Sequence, residues 1–352
     1  MKAWPLLMAL AAAACARPEA AERAADASGA QDQVQAKPPA AEDVAESAGA
    51  SLIGKYAPPL KLKTLDGQTI DLAKVYGKRP VYLKFWATWC IPCRQQMPHF
   101  ENVERTMGRD MQVVAVDAGF NETEEAVRRY RETMGLTMPI VIDDGRLADA
   151  LHLRVTPQHI VIGRDGRILH VGFLADGKLD AALRRAAAEP GAPYPEAATG
   201  VGDRRAGVPA LKTLSGEPLA VGGGGQPTVV FFFSPWCETY LKSSRPAMAE
   251  ACLKAREQVT QLAHEPGARW IGVAAGLWAQ PADLRAYQRE HALPLPVALD
   301  ETGAFFRSFR VADVPSFVVL DGQGRVAART RRAEQAYRAA VELIPHKAGR
   351  EA

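Results

Sequence analysis

Five cysteines are the residues of this 352-residue chain whose type and spacing could do chemistry. Cys90 and Cys93 are separated by two residues, a spacing that lets two thiols form a disulfide with each other and exchange it with another molecule. The same spacing could supply half of a zinc site, but the sequence has no second C-x-x-C and no clustered Cys/His pair to complete one. We therefore expect thiol–disulfide exchange and no metal, with a purely structural disulfide as the alternative.

The local sequence predicts how this pair is positioned. Residues 81–86 (VYLKFW) are a short apolar run typical of a buried strand, and Cys90 follows where a helix is expected to begin. The unpaired N–H groups and the dipole at the start of a helix favour a thiolate over a thiol. Cys93 comes one turn later, close enough to attack a mixed disulfide formed at Cys90.

An internal repeat indicates that the chain carries this arrangement of elements twice. The segment LKTLDG at 62–67 recurs as LKTLSG at 211–216, and LTMPIVID at 136–143 recurs as LPLPVALD at 293–300. Strands alternate with helices in each copy, so the predicted fold class is α/β. The predicted domains are residues 51–190 and 208–346, joined by a Pro/Gly/Ala-rich linker at 191–207.

The segment FWATWCIPCRQQMP at 85–98 resembles the active site of the thioredoxin family, most of all that of TlpA-type periplasmic reductases. The resemblance covers residues 55 to about 188. It implies two tandem thioredoxin-like folds, each a central mixed sheet with helices on both faces, the second degenerate. It also implies that Cys90 is the nucleophile, that Cys93 is the resolving thiol, and that a cis-proline loop faces the sulfurs and presents main chain to an extended substrate. The supporting or substrate-binding positions are then Trp89, Pro92, Thr156 and Pro157.

Lys84 departs from the family pattern, which has a buried acid six residues before the nucleophile. A strand covered on both faces would bury this amine at a high cost in free energy. One interpretation is that Lys84 reaches solvent along its aliphatic stem or pairs with a nearby carboxylate. The other is that Lys84 supports the site by lowering the pKa of the thiol in place of the acid.

The second copy keeps only part of the pattern. Pro235-Trp236-Cys237 again follows a buried strand, and Pro315 keeps the proline of the late loop, but Tyr240 occupies the position that matches Cys93. Alone, Cys237 could form a mixed disulfide but could not resolve it. It is either a relict structural position or a working thiol that exchanges electrons with the first copy or with a partner.

Cys252 follows Cys237 by 15 positions. A continuous helix would separate the two residues by roughly 22 Å, far beyond disulfide reach. Pairing would require the chain to fold back near residues 243–246. The helical spacing of Cys252 with Met248 and Val259 predicts instead a small buried core residue.

The amino terminus predicts export. Residues 1–14 combine one Lys with an apolar run too short to span a bilayer, as in a signal peptide. Residues 15–50 are rich in Ala and Glu and lack aromatic residues after Cys15, so we expect a disordered tether. The three alanines before Cys15 resemble a lipoprotein box, which makes Cys15 a candidate for lipid attachment, with ordinary cleavage of the signal as the alternative.

These features predict a periplasmic thiol–disulfide oxidoreductase, attached to a bacterial membrane if Cys15 carries lipid. It would reduce disulfides of other proteins without a cofactor and would receive electrons from an upstream thiol–disulfide donor. A net charge of +3 without a basic block argues against nucleic acid as a partner. The alternative from another class is a non-catalytic peptide-binding or scaffold protein with a permanent Cys90–Cys93 disulfide.

Overall fold

The computed structural model describes residues 40–190, 194 and 208–344, which belong to one compact unit. The predicted signal peptide, Cys15, the tether up to residue 39 and all of the 191–207 linker except Tyr194 lie outside the described residues. Within the described ranges, no helix combines the length and the apolar character needed to cross a bilayer. We call residues 40–190 the CxxC half and residues 208–344 the second half.

The CxxC half is built around a five-stranded sheet of order β5-β4-β3-β6-β7. Strands β3, β4 and β5 are parallel, whereas β6 and β7 run antiparallel to their neighbours. A separate hairpin joins β1 and β2. In chain order the elements are α1 (Ala41–Ala50), β1 (Lys61–Lys63), β2 (Thr69–Asp71), α2 (Leu72–Val75), β3 (Val81–Trp86), α3 (Ile91–Gln95), α4 (Met97–Met107), β4 (Gln112–Asp117), α5 (Glu124–Met134), β5 (Ile140–Ile142), α6 (Arg146–Ala150), β6 (Gln158–Ile162), β7 (Ile168–Gly172) and α7 (Gly177–Ala188).

The second half contains a five-stranded sheet of the equivalent order, β10-β9-β8-β11-β12, with the same parallel and antiparallel pairs. Its elements are β8 (Thr228–Phe233), α8 (Cys237–Tyr240), α9 (Pro246–Leu262), β9 (Arg269–Ala275), α10 (Pro281–Glu290), β10 (Val297–Asp300), α11 (Ala304–Ser308), β11 (Ser316–Leu320), β12 (Val326–Thr330) and α12 (Ala333–Glu342). The predicted α/β class with mixed sheets is confirmed. Helix α9 of the second half has 17 residues, whereas the matching helix α4 of the CxxC half has 11.

The central strand β3 is buried along its whole length because its β-branched, aromatic and aliphatic side chains can pack on both faces of the sheet. Val81, Leu83 and Phe85 join the core on one face, and Tyr82 and Trp86 join the core on the other. Burying such side chains contributes about 1.5–3 kcal/mol each. The strand therefore gives the residues that follow it, including the cysteine pair, a rigid base.

The helical segment that follows Cys90 is divided into α3 and α4, which meet at Gln96. Pro98 is the second residue of α4, a position where its missing N–H leaves no bond unmade. In an unbroken helix, its ring would clash with the carbonyl of Arg94. The break thus sets α3 apart as a short helix that carries only the cysteine pair and its flanking residues.

The amino-terminal helix α1 corrects one prediction: residues 41–50 are not a disordered tether. Ala and Glu favour helix, and the helix begins just after the two prolines of the tether. Ala45 and Gly49 are buried where α1 approaches β7. A Cβ on Gly49 would lie 2.2 Å from Cγ1 of Val171, so only glycine permits this contact. Lys178 also donates to Glu46 over 3.1 Å.

The two halves share a hydrophobic core at the end of each sheet that carries the Trp-Cys sequence. The ring of Trp89 lies 5.2 Å from that of Trp236, and the ring of Phe120 lies 6.1 Å from that of Phe306. The CxxC half therefore meets the second half with the face on which Cys90 lies.

Candidate active site

Cys90 is the N-cap residue of α3, and the main-chain N–H of Cys93 donates to its sulfur over 3.2 Å. Pro92 lies in the first turn, where its missing N–H costs nothing. The two cysteines are joined by a disulfide, with Cα atoms 5.3 Å apart. After reduction, the same N–H would stabilise negative charge on the Cys90 sulfur. The helix start therefore suits thiol–disulfide exchange, as the sequence predicts.

The loop before β6 brings a second part of the chain to the disulfide. The Thr156–Pro157 peptide bond is cis, as the resemblance implies, and both residues are buried. The Cys90 sulfur lies 3.4 Å from the carbonyl oxygen of Thr156. Any group that binds to this sulfur must therefore fit beside the main chain of the Thr156–Pro157 loop.

Lys84 lies behind the cysteine pair, fully buried on β3. Its Nζ is 3.5 Å from the carbonyl oxygen of Cys93 and 5.5 Å from the centre of the Phe100 ring. No carboxylate of the described residues lies within ion-pair distance of this amine, and burial lowers the pKa of Lys84 from 10.5 to about 7. The interpretation that Lys84 reaches solvent or pairs with an acid is therefore wrong.

A buried polar chain adjoins Lys84 on the same sheet. His159 is paired with Lys84 across β3 and β6. Its Nδ1 lies 2.7 Å from the Tyr82 hydroxyl, and its Nε2 lies 2.7 Å from Oε1 of Gln96. Because an amide oxygen can only accept, Nε2 carries the proton and Nδ1 accepts from Tyr82. Burial, with Lys84 nearby, holds the pKa of His159 well below its usual value, so the imidazole is neutral.

Glu122 holds the loop that precedes Cys90. Its carboxylate accepts from the main-chain N–H of Thr88 over 2.7 Å and from the Thr88 hydroxyl over 2.8 Å. Arg245 of the second half donates to the same carboxylate over 3.1 Å, while only 1% of the Glu122 side chain is exposed. Burial raises the pKa of Glu122, and Arg245 opposes this rise.

The residues around Cys90 also contact the second half. The indole N–H of Trp89 donates to the carbonyl of Phe120 over 2.9 Å, while its ring packs on Trp236. The main-chain N–H of Ile91 donates to the hydroxyl of Tyr240 over 3.2 Å. Cys90 is only 1% exposed, whereas the side chain of Ile91 is 43% exposed.

The second half contains a disulfide between Cys237 and Cys252, so neither is a free thiol. Cys237 begins α8, the chain turns back before α9, and Cys252 lies two helical turns into α9. This fold-back brings the two Cα atoms to 6.2 Å, which corrects the prediction that Cys252 is an unpaired core residue. Of the two alternatives left open for Cys237, the bond favours a structural position. The cis bond before Pro315 matches the one before Pro157.

Several residues of the site have no signal in the sequence. His159, Glu122 and Arg245 follow no motif, and their partners are up to 157 positions away. An alignment of the two copies of the repeat would match the loop after β4 with the loop after β9. It would not show that each loop contacts the other half. Among the described residues, no group of three or more His, Cys, Asp or Glu side chains could hold a metal ion.

One known protein family matches this chain within its CxxC half. Residues 53–171 match the sequence profile of the AhpC/TSA family. The thioredoxin-like protein YneN of Bacillus subtilis (strain 168) is 35% identical over 133 residues, which cover 37% of this chain and 78% of that protein. The thiol-disulfide oxidoreductase ResA of Halalkalibacterium halodurans is 38% identical over 120 residues, or 34% of this chain and 66% of that protein.

Among solved structures, a thiol:disulfide interchange protein of the thioredoxin family from Chlorobium tepidum TLS is 26% identical, with a TM-score of 0.34 over 38% of this chain and 95% of that one. The family assignment rests on the profile match and on YneN, most of whose length this chain covers. The chain belongs to the thioredoxin-like AhpC/TSA family.

Proposed function

We propose that this chain is an exported thiol–disulfide oxidoreductase of the TlpA type, which reduces disulfides of periplasmic proteins. The observation that carries the proposal is the position of Cys90 as the N-cap of α3, with the Cys93 N–H on its sulfur and the Thr156 carbonyl 3.4 Å away. The relative named ResA, a thiol-disulfide oxidoreductase, supports the same class of reaction.

The proposed reaction is a two-electron exchange between dithiol and disulfide. The Cys90 thiolate attacks one sulfur of a client disulfide, forming a mixed disulfide and releasing the other client sulfur as a thiolate. The Cys93 thiolate then attacks the Cys90 sulfur, which releases the second client thiolate and closes the Cys90–Cys93 disulfide. The client is reduced and the chain is oxidised. An upstream thiol–disulfide donor returns two electrons to the pair.

Lys84 would support this cycle from behind the cysteine pair. Its buried amine lies against the carbonyl of Cys93, and a pKa near 7 lets it gain or lose a proton under ordinary conditions. An ammonium at this place would favour a thiolate at the pair, since opposite charges attract strongly in a dry environment. In this proposal Lys84 lowers the pKa of the thiol.

The remaining parts of the chain follow from the proposed place of action. Residues 1–14 are a signal peptide, Cys15 is the site of lipid attachment, and the residues after it tether the folded part to a membrane. Residues 51–190 and 208–346 are tandem thioredoxin-like domains, the second degenerate. The equal strand orders and the matching cis-prolines support this division.

The second candidate function is a non-catalytic scaffold, favoured by the 1% exposure of Cys90. Insulin reduction with dithiothreitol as the electron source separates the two functions. We expect a double Cys90→Ala, Cys93→Ala variant to show only the background rate. The matched control, Cys237→Ala with Cys252→Ala, removes the other disulfide and should retain activity. Equal rates for wild type and the first variant would contradict the oxidoreductase function.

The direction of exchange is tested by the reduction potential of the Cys90–Cys93 pair. A reductase requires a potential nearer to the ~−270 mV of thioredoxin than to the ~−120 mV of the oxidant DsbA. Equilibration with glutathione, followed by mass mapping of the Cys90–Cys93 peptide, measures it. A potential near that of DsbA would contradict the reductase direction while leaving the oxidoreductase class intact.

A further inference from the structure

The two halves exchange matching loops where they meet. The main-chain N–H of Trp278, in the loop after β9, donates to the carbonyl of Arg154 over 2.8 Å. The main-chain N–H of Asn121, in the loop after β4, donates to the carbonyl of Ala312 over 3.0 Å. Trp278 and Asn121 have φ angles of 60° and 55°, and each acceptor lies three residues before a cis-proline. Each half therefore docks its loop on the cis-proline loop of the other.

Side chains complete both contacts. The indole N–H of Trp278 donates to the Thr156 hydroxyl over 3.0 Å. In the opposite direction, the main-chain N–H of Val314 donates to Oδ1 of Asn121 over 2.9 Å. The docked loops thus use donors and acceptors that would otherwise face outwards from the two cis-proline loops.

This docking lies across the approach to Cys90. In thiol–disulfide exchange at Cys90, the attacking sulfur approaches along the line of the S–S bond that forms or breaks. Cys93 lies on the inner side of Cys90. An incoming group must therefore approach from outside, beside the Thr156 carbonyl that lies 3.4 Å from the sulfur. Trp278 is bound to this same residue.

Resting on the proposed function, we infer that the second half occupies the client-binding face of the CxxC half. Trp278 bonds the main chain of Arg154 and the side-chain hydroxyl of Thr156, and so lies where a client attached to Cys90 would bind. Protein clients reach Cys90 only when the two faces part, whereas small reagents can enter beside the exposed Ile91. Trp278 therefore determines which molecules can exchange with Cys90.

Arg245 fastens this contact from the other side of the cysteine pair. It donates to Glu122 over 3.1 Å and to the Thr88 hydroxyl over 2.5 Å, and it also bonds the carbonyl of Asn121. Thr88 is two residues before Cys90. Removing Arg245 would weaken the docked state without touching the disulfide, and a client's apparent affinity would rise with the fraction of open molecules.

Labelling of Cys90 in the reduced full-length chain tests the inference. Iodoacetamide is the small reagent and a polyethylene-glycol maleimide of several kilodaltons is the large one. Because Cys90 and Cys93 share the tryptic peptide 85–94, fragment-ion sequencing of this peptide distinguishes labelling at Cys90 from labelling at Cys93. Relative to iodoacetamide, we expect Trp278→Ala and Arg245→Ala to speed the large reagent about tenfold. The matched control is Arg325→Ala, which should change neither rate because the Arg325 side chain lies 77% exposed on the β11–β12 turn.

Unchanged relative rates in both interface variants would overturn the inference, as would equal access of the two reagents in the wild type. If Trp278→Ala fails to fold, Arg245→Ala and Trp278→Phe, which keeps a ring but lacks the indole N–H, decide the matter. Labelling measures access to Cys90 and needs no turnover. A failure of the proposed function would instead appear as insulin reduction that does not depend on Cys90 and Cys93.

Discussion

The two Trp-Cys sequences of this chain begin helices at equivalent places in two similar sheets, yet they place their sulfurs differently. Cys90 is the N-cap of α3 and accepts the N–H of Cys93. Cys237 is one position further in, as the first residue of α8 with Trp236 as N-cap, and its sulfur lies 4.0 Å from the carbonyl oxygen of Met248.

The partner cysteine explains the difference in role. Cys93 lies within the same helical turn as Cys90, so the disulfide can open and close without moving the fold. Cys252 lies on the next helix, so the Cys237–Cys252 bond joins α8 to α9 inside the core. Tyr240, at the position that matches Cys93, turns to the interface and accepts from Ile91 instead. The same scaffold thus carries a disulfide within one helix start in the CxxC half and a cross-link between two helices in the second half.

The largest expected effect on turnover comes from removing Cys93, the second cysteine of the CxxC pair. Cys93→Ala keeps the main-chain N–H on the Cys90 sulfur but removes the resolving thiol. We expect insulin turnover to fall at least ~100-fold and a covalent adduct with the client to accumulate, visible on a non-reducing gel.

Cys252→Ala is the matched variant in the second half. It frees Cys237, which is the first residue of α8 and not its N-cap, so the helix start does not favour a thiolate there as it does at Cys90. We expect no adduct and nearly normal turnover. An adduct through Cys237 at a rate comparable with that of Cys93→Ala would remove the distinction between the two helix starts.

The next effect concerns stability. Replacing Cys237 and Cys252 by Ala opens a loop with a sequence separation of 15. A loop of this length predicts a loss of about 3 kcal/mol in the free energy of unfolding, whereas the short Cys90–Cys93 loop predicts about 2 kcal/mol. Urea unfolding followed by tryptophan fluorescence compares the two double variants. A larger loss for Cys90→Ala with Cys93→Ala would contradict the assignment of the cross-link to the second half.

The cores behind the two helix starts differ as well. Lys84 pairs across the sheet with His159, whereas the matching Phe231 pairs with Phe317, with ring centres 5.1 Å apart. The second half thus fills with stacked rings the place where the CxxC half keeps two titratable groups. A buried amine without an acid beside it costs stability, which suggests that Lys84 is kept for a purpose other than folding.

Lys84→Met gives the clearest dependence on pH. Burial lowers the pKa of Lys84 to about 7 in the folded chain, so this chain binds fewer protons than the unfolded one between about pH 7 and 10.5. The penalty is complete below pH 7 and fades as the pH rises. We expect Lys84→Met to stabilise the chain, with a gain roughly 3 kcal/mol smaller at about pH 9 than at about pH 6.

Thermal unfolding at the two pH values measures this gain, and a gain that does not change with pH would contradict the buried, titrating amine. The same variant tests the proposed support of the thiolate. Titration of the reduced Cys90 thiol should move to higher pH in Lys84→Met; a titration that matches wild type would contradict that role.

Local sequence alone predicts much of the CxxC half. The strand at 81–86, the start of a helix at Cys90 and the position of Pro157 all depend on neighbours in the chain: an apolar run, a helix start and a proline. Strand periodicity depends on residues a few positions apart, and so does the ability of two nearby thiols to form a disulfide. Such features can be inferred before the fold is known. The family resemblance follows from the same short segment.

Only the tertiary structure decided how distant residues meet. The Cys237–Cys252 bond depends on a turn between two helices, the helix at 41–50 depends on the close approach of Gly49 to Val171, and Trp278 reaches Thr156 across 122 positions. The sequence places Lys84 on a strand. Whether its amine contacts water or a carboxylate depends on which residues cover that face of the sheet. Contact energies between remote side chains exist only after the chain has folded, and these energies determine burial, pairing and access to Cys90.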